Sequence, residues 1–460
     1  MSENIENYDQ SPHYQVGVFE VEITPPQPFF LHGYPHVDRI SEGINDHLLA
    51  SAMCISDGNS EVVFVGCDLI FVTQGMVRRA RQMIEQRTGL PGRCIMITAT
   101  HTHSGPVIVN LAHHDEDNVE PKPDAEVIEF ITSRIVDAAV GAIENKQTAV
   151  LRYGEGDMAG LGTNRRDPEG PSIKKLPVLI AESNVNHKII GVMAVCAMHP
   201  TVLHEDSRMI SGDFPGLARS ILKEKVLSEG VFVYHMGAAG NQSPRHVVKA
   251  NNMEEAKRLG KILADQICDV INSAEVMGHV CVDACMDCVA LPVRELPSVG
   301  VAKRASEDAK EKLDLMRKSG EAEAEIRTAE CDWFGAEEIL GLTYAAQDGR
   351  LEHAVAMTNP AEIQLFRIGD SVWGAWPAEV FVEFAIACQA YCGHINIMTC
   401  ANGEMQGYLV TTQAIQEGGY EACNAIYASP ESGERLVAIT NRLYAGLMES
   451  EVGHGPCASN

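Results

Sequence analysis

The chain alternates short continuous apolar runs with stretches whose apolar residues fall three and four apart. "HLLASAMCISDGNSEVVFVGCDLIFV" predicts a strand, an Asp-Gly-Asn turn and a second strand. "QGMVRRARQMIEQRTG" predicts a helix closed by Gly89, and "CIMITATHTHSGP" returns to a strand. "DAEVIEFITSRIVDAAVGAIENK" predicts a long amphipathic helix opened by Asp124. "PVLIAESNVNHKIIGVMAVCAMHP" predicts a hairpin turned at "SNVNHK". "GLARSILKEKVLSEG", "VFVYHMGAAGN" and "MEEAKRLGKILADQICDVINSA" then predict helix, strand and helix. The alternation indicates an α/β fold with a mixed β-sheet core flanked by helices.

From about Val301 to Gly349 the pattern changes. The stretch is highly charged and predicts two helices, a peripheral excursion with solvated faces. Strands resume in "EIQLFRIGDSVWGAWPAEVF". No Pro-rich or Gly/Ser linker, low-complexity tract or short-period repeat interrupts the chain.

Three predicted hairpins end on a residue capable of chemistry: Asp68 in "VFVGCD", His199 in "VCAMHP" and Glu379 in "GAWPAE". A buried strand gains nothing from a carboxylate or imidazole at its tip, and ligands bind at strand ends in α/β sheets. "HTH" adds His101 and His103. Strand alternation puts both on one face, about 7 Å apart at ~3.3 Å per residue. They fit metal ligands, since neutral imidazole is a standard zinc donor, and they equally fit polar residues closing a strand.

Composition narrows the function classes. The 460 residues are 45% hydrophobic and 22% charged, an ordinary globular profile. The formal net charge of -27 opposes binding to nucleic acid or to anionic membrane surfaces. "MSENIENYDQSPHY" lacks the basic and apolar regions of a signal peptide, and no apolar run reaches membrane-spanning length. The 14 scattered cysteines therefore read as reduced thiols of a cytoplasmic protein. Cys281, Cys285 and Cys288 are closely spaced, but strand alternation puts Cys288 on the face opposite the other two, so they read as small packed side chains.

Familiar catalytic motifs are missing. There is no HExxH, GxSxG or P-loop, and "GLGTNR" holds only part of a dinucleotide fingerprint. "HEDS" at His204 to Ser207 and "HHDED" at His113 to Asp117 read as charged surface loops rather than metal sites.

Six stretches in order nevertheless resemble the neutral/alkaline, non-lysosomal ceramidase family of zinc-dependent amide hydrolases. They are "TATHTHSGP", "GTNRR", "AMHPTVLHEDSRMISGDFPG", "GAAGNQSP", "WPAEVF" and "GYLVTTQAIQEGGYEA". The resemblance covers about residues 16 to 425 and implies a ceramidase-like catalytic domain spanning the chain. It implies Zn2+ held by His101, His199, Glu379 and Tyr408, with His103, Arg165 and Tyr420 contacting the scissile amide and Ser243 also in the site.

Two departures bear on substrate. "VIVNLAHHDEDNVEPKPDAE" puts a polar, acidic loop where a lipid-binding wall is expected to be apolar. The chain also ends about forty residues after Tyr420, so the family's C-terminal β-sandwich is not expected. Together with the missing export signal, these favour a small, polar amide substrate over membrane ceramide. The same machinery could serve an ester, a lactone or an N-acetyl group, and a non-catalytic scaffold is the reading from another class.

Overall fold

A computed structural model describes residues 13–112 and 119–449. The strands of its main sheet are β1 (Tyr14–Glu22), β2 (Leu49–Ser56), β3 (Glu61–Cys67), β4 (Ile95–Ala99), β5 (Gln147–Asp157), β6 (Lys175–Ser183), β7 (Ile189–Cys196) and β8 (Val231–Met236). Their spatial order is β8-β7-β6-β5-β1-β2-β3-β4, and a short ninth strand, Glu275–Val276, also pairs with β5. The end pairs β7–β8 and β3–β4 are parallel, while the pairs between them are antiparallel, so the sheet is mixed. A second sheet holds β9 (Val282–Val289), β10 (Ala361–Ile368), β11 (Ser371–Ala375) and β12 (Ile395–Met398), with β11–β12 parallel.

Local sequence explains most of the boundaries. Thr73 caps helix Gln74–Thr88 by accepting from Met76 N, and Gly89 ends it in the left-handed region at φ 79. Asp124 caps helix Ala125–Glu144 by accepting from Glu126 N, as its position predicts. The hairpins around residues 57–60 and 184–188 also form as predicted. In β9, Cys285 packs against the second core cluster while Cys288 is exposed, consistent with small packed side chains.

The main sheet curls until its two ends meet: Thr98 Oγ1 on β4 lies 2.7 Å from His235 Nδ1 on β8. The second sheet is stitched to both ends. Ala99 N donates to Cys400 O at 3.0 Å, and Thr399 N donates to Met236 O at 2.8 Å. The carboxyl ends of three parallel strand pairs thus converge at one place. Buried apolar side chains fill the space behind them.

The charged excursion forms helices Val299–Ser319 and Glu323–Asp348, followed by a third, Arg350–Thr358. It lies outside both sheets, yet it packs tightly on the segment that carries Tyr420. A Cβ at Gly335 would sit 3.0 Å from Cys423 Cβ and 3.4 Å from Tyr420 Cα. Glycine in a helix interior costs up to about 1 kcal/mol, and here it permits that close approach.

Asp68 does not join the strand-end site. Its Oδ2 accepts from Leu49 N at 2.9 Å and from Arg219 Nη2 at 2.7 Å, both inside the core. Asp68→Ala leaves Arg219 buried without its carboxylate, an expected cost of about 3–5 kcal/mol. Thermal unfolding checks this; a midpoint equal to the parent's would show that Arg219 finds another partner.

Candidate metal and active site

The predicted residues arrive from strand ends. His101 follows β4, His199 follows β7, and Glu379 follows β11. His101 adopts φ 68, unusual for a non-glycine residue, and its backbone N donates to Leu69 O at 2.8 Å. This turn swings its ring away from the strand direction and toward His199. Glu379 and Tyr408 are partners in a short parallel ladder, Glu379–Val380 with Tyr408–Leu409, so their side chains start side by side.

Each imidazole is locked through Nδ1 to a backbone carbonyl. His101 Nδ1 donates to Ile70 O at 2.7 Å, His199 Nδ1 to Ala239 O at 2.6 Å, and His103 Nδ1 to Gly33 O at 3.0 Å. That arrangement fixes each ring and turns its Nε2 into the centre, the nitrogen a metal-binding histidine offers once that atom carries no proton. The ring nitrogens of His101, His103 and His199 lie within 4.8 Å of one another. His101 Nε2 is 3.4 Å from His103 Nε2 and 3.2 Å from Glu379 Oε2, and His199 Nε2 is 2.9 Å from the same oxygen. Metal–ligand bonds of about 2.0–2.1 Å in a tetrahedron give ligand separations of roughly 3.3–3.4 Å. The donor set and its spacing therefore fit a divalent metal.

The electrostatics agree. Burial opposes a charge on His101, but the Glu379 carboxylate and the Cys400 thiol outweigh it and carry the imidazole up to about 10. Burial, then Arg165, brings His199 down to about 4. Burial, then the neighbouring His101 and His199, holds His103 well below the ordinary imidazole value. Burial would raise Glu379, yet His101 and His199 hold it well below the usual carboxylate range. The centre pairs one buried carboxylate with a protonated His101 and two neutral imidazoles, His103 and His199. The negative charge that holds a proton on His101 is the charge that would hold a cation.

Loops from the other motifs complete the centre. In "GAAGNQSP", Ala239 O and Gln242 O both face His199 Nδ1, and a Cβ at Gly240 would lie 2.6 Å from Glu379 O. Asp213 of "SGDFPG" accepts from Val202 N and Leu203 N, fixing the chain just after His199. Arg165 donates to Gly240 O at 2.7 Å and pairs with Glu421 at 2.8 Å, and its Cζ lies 5.4 Å from the centre of the Tyr408 ring. Tyr408 stacks on His199 with centroids 6.5 Å apart, and Tyr420 meets Tyr408 edge-on at 6.1 Å. Gly418 at φ 74 and Gly419 at φ 93 make the turn that brings Tyr420 back, as the "GG" predicts.

The N-terminal model of the neutral/alkaline non-lysosomal ceramidase family matches residues 14–290. The chain belongs to that family. Neutral ceramidase of Pseudomonas aeruginosa is 25% identical over 257 residues, covering 50% of this chain and 37% of that protein. Neutral ceramidase of Drosophila melanogaster is 26% identical over 246 residues, covering 48% of this chain and 34% of that protein. The chain thus aligns with little more than a third of each relative's length. The crystal structure of the Pseudomonas aeruginosa enzyme superposes with a TM-score of 0.75 at 20% identity, covering 98% of this chain and 77% of that one. A ceramidase complexed with C2 gives 0.73 at 18% identity, covering 98% and 78%. These two structures confirm the fold class.

The remaining assignments differ in how the structure places them. His103 reaches ligand distance of His101, closer to the cluster than its reading as a purely catalytic residue requires. Ser243 Oγ accepts from Arg245 N at 3.3 Å and caps a short turn, while its neighbour Gln242 is the residue that touches His199. Glu205 of "HEDS" pairs with Arg327 at 3.1 Å. His113 to Asp117 lie outside the described residues. Sequence reasoning missed Glu421, which joins Arg165 and Arg166, and Cys400, whose Sγ is 3.6 Å from His101 Nδ1. "NRR" together with an acid next to Tyr420 was the available signal for Glu421; nothing local marks Cys400.

Proposed function

We propose that this protein is a zinc-dependent hydrolase that cleaves the amide bond of small, polar N-acyl compounds. The convergence of three carbonyl-locked imidazoles, two of them on the Glu379 carboxylate, carries this reading, and family membership gives the bond type. His101, His199 and Glu379 hold the metal, with Tyr408 beside them as the fourth ligand. When bound, such a metal supplies a water of pKa near ~7 and polarises a carbonyl.

This chain's residues do the rest. Glu421 keeps Arg165 extended over Tyr408, so a fixed positive charge faces the place where the carbonyl oxygen gains charge. Burial, then Glu338 and Glu379, pushes the Tyr420 phenol above its ordinary value, so it stays protonated and able to donate. His103 remains neutral through burial, and its Nε2 can take a proton from the attacking water and return it to the departing amine. Ser243 supports the loop that fixes His199.

The substrate proposal draws on the polar, acidic stretch that ends near Glu126 and on the surroundings of His103. Tyr34 lies beside His103, with His204 beyond it. No helix among the described residues is long and apolar enough to cross a membrane.

A panel of soluble N-acyl amines and amides, set against micellar ceramide and measured by product release, tests the proposal. Turnover of the soluble amides, abolished by a chelator and restored by zinc, is expected. Efficient hydrolysis of micellar ceramide with little on soluble amides would reverse the substrate ranking.

A further inference from the structure

The segment "LHGYPHVDR", residues 31–39, touches the site without supplying a ligand. Gly33 O accepts the His103 Nδ1 hydrogen bond at 3.0 Å. Gly33 adopts φ 119, and a Cβ there would lie 2.5 Å from that same nitrogen. The Tyr34 ring packs on His103 and on His204, each at 5.3 Å between centroids, and its hydroxyl donates to Leu203 O at 3.1 Å. Arg39, with 0% exposure, donates to His103 O at 2.9 Å and to Ser207 O at 3.1 and 3.2 Å. Its Cζ lies 4.9 Å from the centre of the Tyr34 ring. A buried guanidinium is costly, and here its bonds run to backbone carbonyls of separate loops, so it acts as a clamp.

The segment is also gripped from outside. His36, at φ 61, stacks on Trp333 with centroids 5.2 Å apart and an interplanar angle of 18°, and pairs with Glu337. Lys310 Nζ lies 3.8 Å from the centre of the Trp333 ring. Trp333 and Glu337 belong to helix Glu323–Asp348, and Lys310 belongs to Val299–Ser319. The second excursion helix therefore grips this segment, and the first backs Trp333.

His101 and His199 take their tautomers from carbonyls next to strands of the main sheet, at Ile70 and Ala239. His103 takes its tautomer from Gly33, in a loop that needs support. We propose that Tyr34 and Arg39 are positioning residues for His103, and that the helical excursion latches them through Trp333 on His36. This rests on reading His103 as part of the amide-cleaving site, and it gives the excursion a role in that site.

The test reads His103 directly. Metal-free, 15N-histidine-labelled protein is compared as parent, Trp333→Ala, Trp333→Phe and Tyr34→Leu. The parent is expected to show His103 in a single Nδ1–H tautomer. In Trp333→Ala and Tyr34→Leu the His103 signals are expected to move toward a tautomer average while those of His101 and His199 hold, and Trp333→Phe is expected to restore the parent pattern. Zinc-loaded Trp333→Ala is expected to lose on the order of 10–100-fold in kcat on a soluble N-acyl substrate, with KM and metal content unchanged. Trp333 is half-buried on a helix, so that variant stays informative if Tyr34→Leu fails to fold. Unchanged His103 signals in both variants overturn the proposal. Shifted signals in a protein that cleaves no amide uphold the positioning role and remove the functional reading instead.

Discussion

His199→Ala is expected to strip the metal and to lower kcat/KM on a soluble N-acyl substrate by on the order of 10³–10⁵. A bound metal supplies several kcal/mol of transition-state stabilisation, and each 1.36 kcal/mol is about tenfold in rate. His199 is 1% exposed, and its Nε2 is 2.9 Å from Glu379 Oε2. Removing it takes away one donor and empties the buried space of the ring, a further cost in stability, although Ala239 O keeps the hydrogen bond it accepts from Gln242 N at 2.9 Å. Glu379→Gln separates the two effects. It keeps the side-chain shape but removes the only carboxylate bonded to both His101 and His199 among the described residues. Metal content by elemental analysis, circular dichroism and kcat on the two variants check the assignment. Full zinc occupancy in both, with the fold intact, would mean that the metal is held elsewhere.

Tyr420→Phe is expected to lower kcat by about 10²–10³, leave KM nearly unchanged and keep the metal. Its phenol is kept protonated by burial, with Glu338 and Glu379 adding to the shift, so it can donate to a developing oxyanion. The Gly418–Gly419 turn and the close packing of Gly335 fix where it points. Tyr408→Phe is expected to behave differently. Tyr408 is the ladder partner of Glu379 and stacks on His199, so losing its hydroxyl weakens zinc affinity. Zinc titration and kcat for the two variants side by side decide between these roles. If Tyr420→Phe loses zinc while Tyr408→Phe keeps it, the two roles are exchanged. If kcat is unmoved in both, the segment only supports the fold.

His103 sits between the two assignments. Family resemblance reads it as a group that meets the amide, yet its Nε2 lies 3.4 Å from that of His101, within ligand spacing. Its partial exposure and its dependence on Gly33 distinguish it from His101 and His199. A ligand shared between metal and proton transfer would couple zinc affinity to Tyr34 and Trp333. Metal content that holds in Trp333→Ala while kcat falls keeps His103 on the proton-transfer side.

Much of the framework was legible in the sequence because it is local. Apolar periodicity marked the strands and helices, Thr73 and Asp124 cap where short polar side chains cap, and "GG" before Tyr420 gives the left-handed turn glycine alone adopts easily. The order of motifs also names His101, His199, Glu379 and Tyr408 as the ligand set that the family resemblance implies. What the sequence left open is set by distance in space. Asp68 looked equivalent to His199 and Glu379 at its hairpin tip, and only the packing of Arg219 beside it turned it inward. Ile70, Ala239 and Gly33 choose the tautomers of three imidazoles through backbone carbonyls, which carry no residue-type signature. The charged excursion read as a solvated pair of helices, and charge runs do not reveal that Gly335 seats one of them on Tyr420 or that Trp333 holds His36. Sequence fixes which side chains stand at strand ends. The curl of the main sheet and the second sheet stitched across its ends determine which of them share a centre, because those contacts join residues hundreds of positions apart.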